Sequence, residues 1–191
     1  MLTVISETSW TVLEDQIRHV PLLQKRDSTM VYPYLDAQIS LREIVYTAVR
    51  PTSLYVLRSH LQFQKELCVS LAPDFDPLAL HGSITLQADN ETSVGLIPPI
   101  VEENEQDGLY LLDGLHRTYY GRVTGRTSFT AIHISGFRSD CPAAAVPNEW
   151  SDIIPYDTVP TNPALKRRYR PEPLTLRRDF SALNGSMPRQ A

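Results

Sequence analysis

The sequence predicts an α+β fold, and three observations predict it. Apolar runs of strand length stand at Leu54–Leu57, Leu67–Leu71, Leu109–Leu112 and Phe129–Ile134. Stretches of helical periodicity lie before and between them. Beyond Cys141 the pattern ends: seven of the 15 prolines fall in residues 141–173, a stretch that should run extended over the body rather than form sheet interior. With 191 residues, 42% of them hydrophobic, the chain suits one globular domain with a modest appendage and is long enough to bury a core.

Taken in order, Trp10, Leu13, Ile17 and Val20 recur at helical spacing before Pro21, which predicts a helix over about residues 8–20. Ser40, with Glu43 three positions on, reads as a capping box opening a second helix that holds Ile44 and Val45. Asp76-Pro77 is suited to open a short helix, Leu78 to Ile84, because a first turn tolerates proline. Gln87 to Ser93 is a polar loop, and the acidic stretch Glu102 to Gly108 reads as a turn before the strand Leu109–Leu112. A helix then runs to Thr124, stopped by Gly125, with Leu115, Tyr119 and Val123 as its inward face. The strand Phe129–Ile134 follows, and the last 13 residues, Asp179 to Ala191, read as poorly ordered.

Charge is divided along the chain. Residues 1–160 hold 11 Lys or Arg against 20 Asp or Glu, and residues 161–191 hold 7 against 2, so a body of −9 carries a tail of +5. That balance argues against wrapping nucleic acid over the whole surface, which needs basic residues on the phosphates. The tail, with Lys166-Arg167-Arg168-Tyr169-Arg170 and Arg177-Arg178, suits docking on the acidic body first and a grip on nucleic acid second, and a solvated end is the third reading. Cys68 and Cys141 lack partners at metal-finger or disulfide spacing. No apolar window approaches the roughly 18 residues of a membrane span, and residues 1–10 lack a basic start before an apolar run. A cytoplasmic location is therefore expected. Walker A, GxGxxG, HExxH and GxSxG motifs do not occur.

Chemistry concentrates at Asp113-Gly114-Leu115-His116-Arg117, between a strand and a helix. The first amides of a helix have no internal partner and sit at the positive end of its dipole, so a phosphate is welcome there. Gly114 allows close approach, while His116 and Arg117 add donors. Asp113 would repel a bare phosphate, which points to a magnesium ion to be held or a hydroxyl proton to be accepted. The plainer alternative makes Asp113 a helix cap and pairs His116 and Arg117 with acids such as Glu102 or Glu103. His60 and Glu66 are reserve candidates, His81 and His133 read as structural or exposed, and one of Tyr119 and Tyr120 borders the pocket.

Ile97-Pro98-Pro99-Ile100-Val101, a short acidic insert, the strand Leu109–Leu112, the Asp113–Arg117 turn, its helix and the strand Phe129–Ile134 together resemble the core of the ParB/sulfiredoxin-like superfamily. The resemblance covers about residues 72–136. It implies a small mixed sheet flanked by helices, with a nucleotide-binding core at 66–140, an N-terminal extension at 1–65 packed on it, and a strap and basic tail at 141–191. Sulfiredoxins carry a cysteine where Leu115 stands, and ParB partition proteins bind CTP and follow the core with a helix-turn-helix. The turn is most similar to the Asp-Gly-His-x-Arg turn of the free-serine kinases, matched by Asp113, Gly114 and Arg117 with His116 displaced by one place. That likeness implies a kinase using ATP or ADP, with CTP as the other candidate, and magnesium, on a small hydroxyl-bearing metabolite such as a free amino acid. It implies phosphates on Gly114, Leu115, His116, Arg117 and Thr118, metal on Asp113, and proton transfer by Asp113, His116 or an upstream acid. Asp74 is the first choice for that acid and Asp76 the second. The other reading is a ParB-like nucleotide-sensing, DNA-binding or nuclease module.

Overall fold

A computed structural model describes residues 2–22, 30–88, 93–170 and 177–183. In chain order the elements are β1 (Leu2–Thr8), α1 (Trp10–Arg18), β2 (Gln38–Val45), β3 (Val49–Pro51), β4 (Tyr55–Leu57), α2 (Arg58–Leu71), β5 (Ser83–Ala88), β6 (Ser93–Leu96), β7 (Ile100–Asn104), β8 (Gly108–Asp113), α3 (Leu115–Val123), β9 (Ser128–Ser135) and β10 (Ile154–Tyr156). The fold is α+β. A five-stranded mixed sheet has the order β2-β9-β7-β8-β3, a three-stranded sheet the order β1-β5-β6, and β4 pairs with β10.

Alternation along the strands divides the main sheet into two buried faces. On β9, Ile132 and Ile134 join Ile39, Ile100 and the α1 residues Leu13 and Ile17 in one cluster. Phe129 and Ala131 of the same strand join Ile44, Val101, Leu111 and Trp150 in the other, with Leu61 of α2 and Leu115 and Tyr119 of α3 packed against it. Leu13 and Ile17 are fully buried, and each such side chain contributes about 1.5–3 kcal/mol. Residues 1–65 supply β2 and β3 to this sheet. β2 pairs antiparallel with β9 along its whole length, and β3 lies parallel to β8.

Several local expectations are corrected. Ser40 opens no helix, because residues 38–45 are a strand whose register with β9 is continuous, and Glu43 accepts a hydrogen bond from Ser128 instead of capping. The apolar run Leu67–Leu71 is the end of α2: Leu67 and Leu71, one turn apart, are buried, and Val69 between them is 72% exposed. Leu78 to Ile84 is not helical. The Asp76 carboxylate accepts the Leu78 amide at 2.9 Å and fixes a turn, and Gly82 packs so tightly on the Thr8 carbonyl that an added Cβ would lie 2.1 Å from its oxygen. The end of the chain is ordered further than expected, since Phe180 and Leu183 fill the α1 side of the core; residues 184–191 lie outside the described residues.

Over its described residues the proline-rich stretch does run over the body, contributing the three-residue β10 beside β4 and a bridge between Ala145 and Tyr169. Trp150 anchors it by donating its indole N–H to the carbonyls of Tyr46 and Val49 at 3.1 and 2.8 Å. Further on, Arg168 pairs with Asp152 at 3.2 Å, Arg170 with Asp107, and the Arg178 guanidinium with Glu102 at 2.8 Å. The last pair is buried, and the hydroxyls of Tyr34 and Tyr110 also donate to the Glu102 carboxylate. Much of the basic tail is thus docked on the acidic body.

Candidate functional site at the meeting of two helix starts

Asp113 is the last residue of β8, opposite Ile100 of β7. Gly114 then turns the chain with φ +86°, in the left-handed region, and a Cβ placed there would lie 2.9 Å from the Pro99 side chain. Glycine is required on both counts. The first amide of α3 to bond within the turn is that of Thr118, which donates to the Gly114 carbonyl at 3.0 Å. The amides of Leu115, His116 and Arg117 precede it and lie outside the helix's own bonding pattern.

A second helix start meets this one. α2 begins directly after β4, and its N-cap residue, Leu57, donates its amide to Nε2 of His116 at 3.0 Å. The His60 ring, in the first turn of α2, stands edge-on to the His116 ring with centroids 4.6 Å apart. Two helix starts, each with first-turn amides outside its own helix's bonding pattern and each a dipole end of positive sign, therefore lie side by side.

His116 is neutral at pH 7. Burial, followed by the neighbouring His60, lowers its pKa to about 4. With Nε2 accepting from Leu57, the ring proton of the neutral form belongs on Nδ1. Arg117 points inward and is 5% exposed. One guanidinium nitrogen, Nη2, donates to the Ile97 carbonyl at 2.5 Å, while Nε and Nη1 have no hydrogen-bond partner among the described residues. Burial lowers its pKa to about 10, with Asp113 the first charge opposing that shift, so it remains a cation. Thr118 is buried, its hydroxyl donating back to the Gly114 and Leu115 carbonyls at 3.1 Å. Leu115 packs on the sheet.

The turn thus brings together Asp113, Gly114, Leu115, His116, Arg117 and Thr118, and α2 adds His60. Asp74 and Asp76 stand elsewhere. Asp76 pairs with Arg126 at 2.6 Å, and the Arg126 amide bonds to the Gly121 carbonyl. That is the far end of α3, about 13 Å from its start at 1.5 Å per residue. Asp74 is exposed and lines a separate surface cleft with Glu7, Asp76 and His81. His133 is buried against Glu103, 2.7 Å away. Among the described residues no three His, Cys, Asp or Glu side chains cluster as a metal site, and no helix is long and apolar enough to cross a membrane.

Sequence reasoning missed the start of α2. Leu57, Leu61, Gln64, Cys68 and Leu71 repeat at three- and four-residue spacing, and that signal would have placed a helix start beside His60.

No curated protein and no solved structure matches the chain. A family model does: that of the ParB CE domain, over residues 12–154. It spans both helix starts, the Asp113–Arg117 turn and all five strands of the main sheet, well over half of the 191 residues, and the chain belongs to the ParB CE domain family.

Proposed function

We propose that the chain binds a nucleotide by its phosphates where α2 and α3 meet, and that it transfers a phosphoryl group from ATP or ADP to the hydroxyl of a small metabolite such as a free amino acid. CTP fits the same phosphate contacts. The observation that carries this reading is the bond between the Leu57 amide and His116 Nε2, which fixes two helix starts side by side. First-turn amides of two adjacent helix starts suit the oxygens of a polyphosphate.

The residues present fit such a ligand. Gly114 lets the turn pack directly against Pro99, where any Cβ would clash. The buried Arg117 cation supplies positive charge from below the helix without spanning the ligand. Magnesium would neutralise phosphate charge, and a single carboxylate is enough to hold an ion that keeps several waters and takes its other ligands from phosphate. Asp113 is that carboxylate. It is also favoured over Asp74 and Asp76 as acceptor of the substrate proton, since Asp76 is paired with Arg126 past the far end of α3 and Asp74 lines a separate cleft. Phosphoryl transfer needs mainly positioning and charge stabilisation, which amides, Arg117 and Asp113 provide.

Calorimetry with ATP, ADP and CTP, with and without magnesium, tests the binding, and mass analysis of a hydroxyl amino-acid panel tests the transfer. At least one nucleotide should bind, and Asp113→Asn should keep the nucleotide binding measured without magnesium while losing phosphorylated product. A folded protein that binds none of the three overturns the reading.

A further inference from the structure

β2 ends the main sheet, and its far side is open. The strand is 8 residues long, Gln38 to Val45, and pairs with β9 in a register unbroken along its length. In such a pair alternate residues turn N–H and C=O toward the partner strand, and those between turn theirs outward. Among the described residues, the outward peptide groups of residues 38–44 meet no backbone partner. The other sheet ends are blunted. β3 has 3 residues and closes on Pro51, whose carbonyl accepts from the Asn148 amide at 2.7 Å. β1 breaks register between Val4 and Ser6, and β6 has 4 residues and is followed by Pro98-Pro99. Shortness, bulges and proline guard an edge against pairing, and β2 has none of these; it carries only the charges of Arg42 and Glu43.

We infer that β2 is a self-association edge, on which two copies of the chain lay their β2 strands antiparallel about a two-fold axis at Ser40 and join their main sheets into one. Side chains directly opposed across a strand pair share a face, so an axis normal to the sheet passes at a residue. The candidates are the central residues, Ser40 to Glu43. At Arg42 or Glu43 the axis would set like charges opposite each other. At Leu41 it would set the Glu43 carboxylate against Ile39 of the second copy. At Ser40 the pairings are compatible: Leu41 stands opposite Ile39 of the second copy, and Arg42 opposite Gln38, whose side-chain oxygen can accept from the guanidinium. The same axis brings exposed apolar side chains to the same ends of the pair. Leu35, in the turn before β2, is 50% exposed and Val45 is 48% exposed, and they are equally far along the chain from Ser40 on either side. A second copy is favoured over a foreign strand because this one sequence supplies both sides of the match. β2 lies at the end of the strand order away from β8, so the pairing leaves the helix starts uncovered. One strand pair buries little area, which makes the dimer weak and dependent on concentration.

The test uses the full chain. Sedimentation velocity from micromolar to millimolar concentration should show a monomer passing to a dimer, and amide hydrogen exchange should slow with concentration at alternate residues of β2. Ser40→Lys sets two ammonium groups face to face at the axis and should weaken the dimer by at least about tenfold, as should Ser40→Glu with two carboxylates. An equimolar mixture of the two variants places one charge of each sign at the axis and should recover the dimer, which damaged strands would not do. Should either variant fail to fold, the exchange pattern of the wild type decides. A chain that stays monomeric at every concentration overturns the inference. So does a dimer whose β2 amides exchange as in the monomer, a dimer indifferent to Ser40→Lys, or a mixture of folded variants that remains monomeric.

Discussion

His116 shows how one atom's commitment sets both the site and a stability signature. Its pKa of about 4 lies below the ordinary histidine value of about 6.5. Between the two, the unfolded chain binds a proton that the native chain refuses, so stability is full above the upper value and falls as pH drops toward the lower one. Discounted for the open part of the ring, the loss is about 2 kcal/mol. His116→Gln, whose side-chain oxygen can still accept the Leu57 amide, removes the proton from the balance. Urea unfolding at pH 7 and pH 4 should show the wild type losing about 2 kcal/mol more than this variant, and parallel losses would refute the assignment. Arg117 makes a different point at the same scale. Asp-Gly-x-His-Arg reads as a solvent-facing clamp, but the side chain is directed inward to the Ile97 carbonyl, and its charge acts on the turn through protein rather than by direct grip.

At the scale of the element, α3 buries a face other than the apolar one. Leu115 and Tyr119 pack as the periodicity predicts, but Val123 is 56% exposed and the buried positions are Arg117, Thr118 and Gly121. Gly121 lies where a Cβ would come within 2.4 Å of the Leu78 side chain and 2.7 Å of the Tyr46 hydroxyl. Gly121→Ala should therefore destabilise by about 1–3 kcal/mol through overpacking, although alanine is the better helix former. Val123→Ala should change stability by less than about 0.5 kcal/mol. Equal effects in thermal unfolding would show that the helix packs on a different face. The order β8, turn, α3, β9 was legible because each signal in it is local: four apolar residues, a glycine, a helix length, then Phe129 to Ile134. β2 was not, since Ile39 and Ile44 fit either period and only the partner strand, some 90 positions away, decides between them. Leu67–Leu71 was too short a run to reveal its period. Asp76, read as a candidate base, is used by its neighbours: its two carboxylate oxygens serve Leu78 and Arg126. The turn residues themselves could be named from sequence, but the second helix start beside them depends on tertiary contact.

At the scale of the molecule, the division into an acidic body and a basic tail is a folding contact. Arg178 reaches Glu102 on the central strand β7, where both side chains are almost fully buried, and the same guanidinium donates to the Cys141 and Pro142 carbonyls. A pair this deep is weak evidence of net stabilisation, but removing one partner is costly, about 3–5 kcal/mol, because the other is left charged in the core. A chain ending at Arg170 loses Arg178 along with Phe180 and Leu183, so its urea midpoint should fall sharply. Part of that loss comes from stranded charge and part from lost packing, and a second substitution separates them. Adding Glu102→Gln to the shortened chain leaves the cavity but removes the charge, and should recover about 1–3 kcal/mol, whereas the same substitution in the full chain should destabilise it by leaving Arg178 without its partner. Opposite signs in the two backgrounds are the outcome required if the tail is a structural strap. The same experiment bears on nucleic acid: Arg168, Arg170 and Arg178 are already paired with carboxylates of the body, so DNA affinity at moderate salt should be weak in the full chain. Salt-sensitive DNA binding that is tight in the full chain and lost on shortening, with unfolding free energy unchanged, would instead make the tail an arm that reaches outward.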